Sequence, residues 1–530
     1  MIIPFLSRLR GFAPGGLVMA VLSIVALGHA TDSGMAEGPS LEAKSDVPTN
    51  QETFETNCSG CHGADLTGGQ GPSLVDATWI HGSDDASIMQ VLSAGVIDKG
   101  MPAFGETLTD AERRGLVAYI REKGASAEAG TTAFPTDTQK SELESYRVET
   151  VAGKDLVTPW SMVFLSKSTM LVSERPGRLR VVHTDGKVDA PVTGAPKITQ
   201  EFIHGGMLGL ALAPDYEKSG WIYVGFTDEQ PDTYGEAAKC AGRATCFTIA
   251  TQIKIIRGRL RNNALVDQQT IWQGAPTSYR VTPNFGGRLA FGADGMLYFS
   301  VGDRVYSVME AQDPTSPNGK IHRVAPDGSI PADNPYVGVK GAVPSIWSIG
   351  HRNPEGFAAD PRTKYLWSSE HGPRGGDELN LIRPGGNYGW PYLTYGMGYD
   401  GRPFDRAYPI GHSQAIVPVP DESQPVDTSK MIEPTVHWTP SIAVSAMAFY
   451  EGKAFPNWRD SLFVTSLKQQ ELLRLTIEGD KVTHQEQIFR WHGRLRDIVT
   501  GPDGAIYLVI NEPDAIVKLV PATPAGKGKP

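Results

Sequence analysis

Two regimes of hydrophobic spacing divide the chain. Between residues 46 and 125 apolar positions recur at helical intervals. ETFETNCSGCH reads as a helix, and LTDAERRGLVAYIREKG as an amphipathic helix with Leu116, Val117, Tyr119 and Ile120 on its apolar side. Thr109 and Glu112 form a capping box at its start. Met89, in ASIMQVLSAG, lies on a periodic helix and reads as core filler. From residue 146 to 522 the period changes to two. Alternating stretches flank Pro-Asp or Asp-Gly turns in PWSMVFLSKSTMLVSERPGRLRVV, GMLGLALAPDYEKSGWIYVGFT, GGRLAFGADGMLYFSVGD, EGFAADPRTKYLWSSEHG, SAMAFYEGKAFPNWRDSLFVTSLKQQELLRLTI and LRDIVTGPDGAIYLVINEPDAIVKLV. About six such copies predict radial repetition of small antiparallel sheets, a β-propeller. Residues 126–145, without period and rich in small polar residues, read as a linker, and the Pro/Gly-rich insertion 391–440 as loops over one face. The predicted fold is multidomain: a small all-α unit followed by an all-β propeller.

The N-terminus carries Arg8 and Arg10, then GGLVMAVLSIVALGHA, then a polar segment. This is the pattern of a secretory signal over residues 1–30, cut after Ala30, and it implies a periplasmic location. The run is short for a spanning helix, so cleavage leaves no integral span, whereas an uncleaved signal would tether the protein. No adjacent Arg pair is present, which disfavours the twin-arginine route. The formal net charge of -10 argues against nucleic acid or an anionic membrane surface as partner.

Of four cysteines, two stand in TNCSGCHGADLTGG. Cys58-x-x-Cys61-His62 is the spacing that attaches one covalent haem c through two thioethers, His62 being the first axial iron ligand. Met101, in a Gly-Met-Pro turn rather than on a helix face, is the expected sixth ligand, and a thioether there raises the potential. The order of haem motif, short helices, Met-Pro turn and final helix is similar to a small class I cytochrome c. Haem attachment follows export in bacteria, so signal and motif agree. Cys240 and Cys246 either close a small loop disulfide or remain free thiols.

SIGHRNPEGFAADP, SSEHGPRGGDELNLIRPGGNYGWP, HWTPSIAVSAMAFY, TSLKQQELLRL and GRLRDIVTGPDG, in that order, resemble the glucose/sorbosone dehydrogenase family, soluble quinoproteins holding pyrroloquinoline quinone (PQQ) on a six-bladed propeller. The resemblance spans almost all of residues 146–522. It implies that Arg352, Asn353, Lys468, Arg494 and Arg496 hold the quinone, a planar tricarboxylate that such forks and point charges suit. It also implies calcium against the quinone on the carbonyls of Gly372 and Pro373, and a second calcium on Glu378 and the carbonyl of Tyr388, oxygen donors suited to a hard cation. Without the family, GGDE and GGNYG are two turns. Trp438 either walls the cofactor or belongs to the core.

The chain departs from the family at its general base. The family's His-x-Gly-Gly-Arg-Leu motif reads NFGGRL here, with Asn284 where the histidine stands. An amide cannot take a proton near neutral pH, and general-base catalysis contributes roughly 10²- to 10⁴-fold. Before GGMLGLALAPD the family's quinone-contacting glutamine is replaced by His204. The paired exchange suggests His204 as a relocated base with Asn284 orienting substrate; the plainer reading makes His204 a cofactor ligand. Asp303, in VGDR, either bears on substrate or caps a turn.

The resemblance implies a periplasmic enzyme oxidising an aldose or a related alcohol or aldehyde, passing electrons to its own haem and on to a respiratory acceptor such as a soluble cytochrome or oxidase. The alternative is a catalytically impaired propeller acting as a sugar- or cofactor-binding redox sensor. A haem c plus propeller denitrification reductase would require about eight blades and a second haem site, for which no residues are found.

Overall fold

The computed structural model describes residues 48–522 apart from 76–78, 125–132, 199–204, 231–249, 275–283, 306–307, 399–400 and 403–425. The signal segment, Cys240, Cys246 and His204 lie outside the described residues.

The N-terminal unit packs helices α1 (Asn50–Asn57), α2 (Ser59–His62), α3 (Asp85–Ala94) and α4 (Asp110–Gly124). The single helix expected over ETFETNCSGCH is two, broken at Cys58, whose backbone leaves helical geometry at φ -124° and ψ -32°. The capping box of α4 forms: the Glu112 carboxylate accepts the Thr109 N–H at 2.7 Å, and the Thr109 hydroxyl accepts the Glu112 N–H. Phe54, Leu92, Leu116, Val117, Tyr119 and Ile120 make its core, with Met89 packed on the edge. Gly115 sits where α1 meets α4, because a Cβ there would lie 2.2 Å from the Asn50 side chain.

The remainder is a ring of six antiparallel sheets. Their innermost strands are Pro159–Ser166, Met207–Leu212, Gly286–Phe291, Pro354–Ala359, Val444–Phe449 and Arg494–Thr500, each touching the next and the last touching the first. The ring closes on Ser145–Ala152, which pairs with Ala515–Pro521 in the last blade, so the N-terminal strand completes the C-terminal sheet. This sheet extends into the stretch read as linker, through Gln139–Lys140, too short to show a period. Each innermost strand opens with a break in register, at 286/289, 354/356 and 495/497 among others. Such bulges re-aim side chains toward the rim. At the axis the strands approach so closely that a Cβ on Gly356 would lie 2.4 Å from the Ser445 carbonyl. The insertion expected to be all loop also supplies Val436–Trp438, the outermost strand of the fourth blade, paired with Asp377–Leu379. No described helix is long and apolar enough to cross a membrane.

Candidate active site and haem cavity

Within the helical unit lies an apolar cavity of about 600 Å³, lined by Cys58, Cys61, His62 and Met101 together with Phe54, Leu116 and Ile120. The His62 Nδ1 lies 2.8 Å from the Pro72 carbonyl, which assigns the proton to Nδ1 and leaves Nε2 as a lone-pair donor. Gly71 packs on this ring so closely that a Cβ would lie 2.8 Å from it. Met101 enters from the opposite segment, held by a two-way backbone pairing with Val96. Cys58 is half-buried, and burial, with Cys61 beside it, pushes its thiol up to about 11. Two thiols, an oriented imidazole and a thioether facing one apolar cavity are the donor set that a covalently attached haem requires.

On the propeller, the bulged starts of the innermost strands bring the predicted residues together. Asn284, in the left-handed region at φ 59°, directs its Nδ2 to the Asp303 carboxylate at 2.9 Å. Asp303 also accepts from the Val305 N–H and, at 2.8 Å, the Trp390 indole. Burial pushes this carboxyl up, while Arg352 and these hydrogen bonds pull it down. The Arg352 carbonyl accepts the Asp303 N–H, and its guanidinium reaches the His371 carbonyl at 3.2 Å. Asn353 is fully engaged, its Oδ1 accepting the Gly286 N–H and its Nδ2 donating to Glu355. Glu355 in turn faces Arg496 at 3.7 Å.

Arg496 is partly buried, its enclosed Nε without a hydrogen-bond partner, and burial pulls its guanidinium down to about 10, with Arg494, Arg288 and Arg175 adding to the depression. Glu355 opposes it, and Asp497 is taken by Arg288 at 3.0 Å. The guanidinium groups of Arg494 and Arg496 thus stand together at the edge of this cluster, donors of the kind an anionic planar ligand would engage. A second cavity, of about 210 Å³, is lined by His371, Gly372, Pro373, Ser441 and Lys468, and also by Ala118 and Glu122 of the helical unit. Lys468 is exposed and has no ion pair among the described residues.

A protein-family model described as glucose/sorbosone dehydrogenase matches residues 156–519. The chain belongs to the glucose/sorbosone dehydrogenase family. A second model, cytochrome c oxidase cbb3-type subunit III, matches residues 45–120, so the dehydrogenase carries an N-terminal cytochrome c domain. The aldose sugar dehydrogenase YliI of Escherichia coli is 35% identical over 358 residues, 67% of this chain and 87% of the relative. The crystal structure of the soluble aldose sugar dehydrogenase of Escherichia coli superposes with a TM-score of 0.59 at 32% identity, covering 71% of this chain and 99% of that one. The PQQ-bound aldose sugar dehydrogenase of Streptomyces coelicolor gives 0.54 at 27% identity, over 73% and 99%.

In this dehydrogenase propeller the residues expected to hold the quinone divide into the buried Arg352 and Asn353, the partly buried Arg494 and Arg496, and the exposed Lys468. Gly372 and Pro373 line the cavity, as main-chain calcium donors would. Glu378 is buried and its carboxyl is raised well above normal by burial and by Glu370, with the Asn380 amide bridging the two. A hard cation there would relieve that repulsion. Among the described residues no group of three or more His, Cys, Asp or Glu is placed to hold a metal, so a cation would depend on main-chain oxygens. The Tyr388 side chain is a structural anchor, its hydroxyl donating to the Leu381 carbonyl. Trp438 lies on an outer strand, its indole donating to Gln485 of the next blade at 3.1 Å, and does not line the cavity. The turn-cap reading of Asp303 is also present, in its bond to the Val305 N–H.

Sequence reasoning missed Glu355, Asp497 and Trp390, each beside a residue it singled out, in HRNPEG, RLRD and NYGWP. It also missed Arg175, Arg374 and Glu122.

Proposed function

We propose that this protein is an exported quinohaemoprotein dehydrogenase that oxidises an aldose or related alcohol or aldehyde and delivers the electrons to its own haem c. The observation that carries this reading is that α4 is a shared wall. Leu116 and Ile120 line the cysteine-bearing cavity, and Ala118 and Glu122 line the propeller cavity. A helix with its side chains is about 10–12 Å across. One helix therefore separates the two sites, and the covalent link keeps them together at any dilution.

When bound, PQQ supplies a two-electron acceptor for a sugar carbinol, and haem c an outlet that carries one electron at a time. Arg496, Arg494, Arg352 and Lys468 would hold the quinone's carboxylates and oxygens, and the carbonyls of Gly372 and Pro373 a calcium ion against it. Cys58 and Cys61 would anchor the haem, with His62 and Met101 on the iron. Oxidation of the sugar removes two electrons and two protons, so a downstream acceptor would have to take up two electrons, one at a time, in each turnover. Asn284 would orient the sugar hydroxyl and Asp303 hold Asn284. His204 is the proposed proton acceptor. The N-terminal signal pattern and the requirements of haem attachment support a periplasmic location.

Reconstitution with PQQ and calcium, followed by haem absorption across a sugar panel, tests the assignment. Reduction by one substrate class and not others is expected; a ferric haem under every sugar overturns it. Asn284 favours a second reading, a sugar- or cofactor-binding redox sensor, for which quinone uptake without turnover is the expected result.

A further inference from the structure

The cytochrome c domain is a wall of the propeller cavity and not merely a neighbour of it. Ala118 and Glu122 line the same space as Gly372, Pro373 and Lys468. Glu122 Oε1 accepts from Arg374 Nη2 at 2.8 Å and Nε at 3.3 Å, while its Oε2 is buried without a hydrogen bond. Arg374 follows Pro373, so the ion pair grips the segment that borders the cavity. Around it, the Asn50 N–H donates to the Gly401 carbonyl at 2.7 Å, the Asn50 amide to Met397 Sδ at 3.3 Å, and Asp85 lies 3.8 Å from His437. Every one of these contacts joins α1, α3 or α4 to the propeller's fourth blade and its loops.

We propose that the docked cytochrome domain selects the electron acceptor, with Ala118 and Glu122 as positioning residues. Glu122 on Arg374 holds α4 over the cavity, keeps bulky external acceptors out and leaves the haem across the helix as the nearest outlet. The proposal rests on the functional reading above, in which the cavity belongs to the quinone site. Neither residue is asked to touch the reacting atoms.

A single partly exposed ion pair contributes little attraction, so the test reverses charge and inserts bulk. Glu122→Arg places two cations in contact, Ala118→Trp forces a large ring into the buried contact, and Glu122→Arg with Arg374→Glu restores the pair in the opposite sense. The full-length protein without quinone is measured by small-angle scattering at low salt; after loading with PQQ and calcium, reduction of a bulky dye is compared with reduction of the haem. Either single variant is expected to raise the radius of gyration and shift the ratio of dye to haem reduction several-fold toward the dye. The double reversal returns both to wild-type values. An unchanged radius and ratio in both single variants overturns the proposal. Failure of wild-type protein to take up quinone sinks the functional reading instead, because the scattering result does not depend on loading.

Discussion

The Asn284 amide donates to the Asp303 carboxylate at 2.9 Å, and both side chains are buried. A histidine at 284 would meet the same acceptor: one ring nitrogen would donate to Asp303, and the other would be left as a base. The backbone permits the exchange, because Asn and His are both among the residues enriched at positive φ. With His204 as the proposed proton acceptor, Asn284→His in quinone-loaded protein is expected to leave kcat within a few-fold of wild type, whereas His204→Ala should lower it by about 10²-fold or more. A rise of about 10²-fold in Asn284→His, with a new pH-profile limb near the usual histidine range, would show instead that wild type lacks an effective base.

Arg496 illustrates a site that is costly to maintain without its ligand. Its buried Nε has no hydrogen-bond partner and three further guanidinium groups repel it. Arg496→Met together with Glu355→Gln is expected to raise the melting temperature of quinone-free protein, since replacing the whole ion pair by neutral groups removes a desolvation penalty without stranding the carboxylate. The same variant should weaken quinone binding by about 10- to 100-fold, the loss of one charge-assisted hydrogen bond. Calorimetry without and with quinone separates the two effects. A drop in both would mean that Arg496 is a structural cation.

Much of this architecture was legible because each innermost strand carries its own signature, an alternating run closed by a turn such as GADG at 292–295 or GPDG at 501–504. The strand Val436–Trp438 was not, being three residues long and embedded in a Pro/Gly-rich insertion. Arg496 and Asn353 were found through their motifs, yet the Glu355 that joins them was not. Its role depends on two blades meeting at the axis, which no local pattern encodes. Glu122 was equally hidden: on an amphipathic helix it reads as a solvent-facing residue, and only the docking of α4 turns it toward Arg374.

The haem site makes a separable prediction. Met101→Ala removes the thioether that lines the cavity with His62, while leaving Cys58 and Cys61, the proposed attachment residues, in place. The haem should remain covalently bound on a denaturing gel, and its midpoint potential should fall, because a His/Met ligand pair raises it. Cys58→Ala with Cys61→Ala should instead lose haem on denaturation. A Met101→Ala potential equal to wild type would show that another group supplies the sixth ligand.

Lys320 offers a test of the propeller independent of any cofactor. Its ammonium is buried in the third blade, donating to the Glu310 carbonyl at 2.5 Å and the Asn318 carbonyl at 2.6 Å. Burial lowers it from the ordinary 10.5 to about 7, against the opposing pull of Asp313 and Glu310. Above pH 7 the folded chain therefore holds fewer protons at this site than the unfolded chain, which still binds one up to pH 10.5. Stability consequently rises with pH across that window, by about 1.4 kcal/mol for each unit crossed, and is lost as pH falls through the folded value. In Lys320→Met this component is absent. Wild type should accordingly gain stability relative to Lys320→Met between pH 7 and pH 10 in denaturant titrations. A difference that stays flat over that range would show that the two carbonyl acceptors keep the buried ammonium charged.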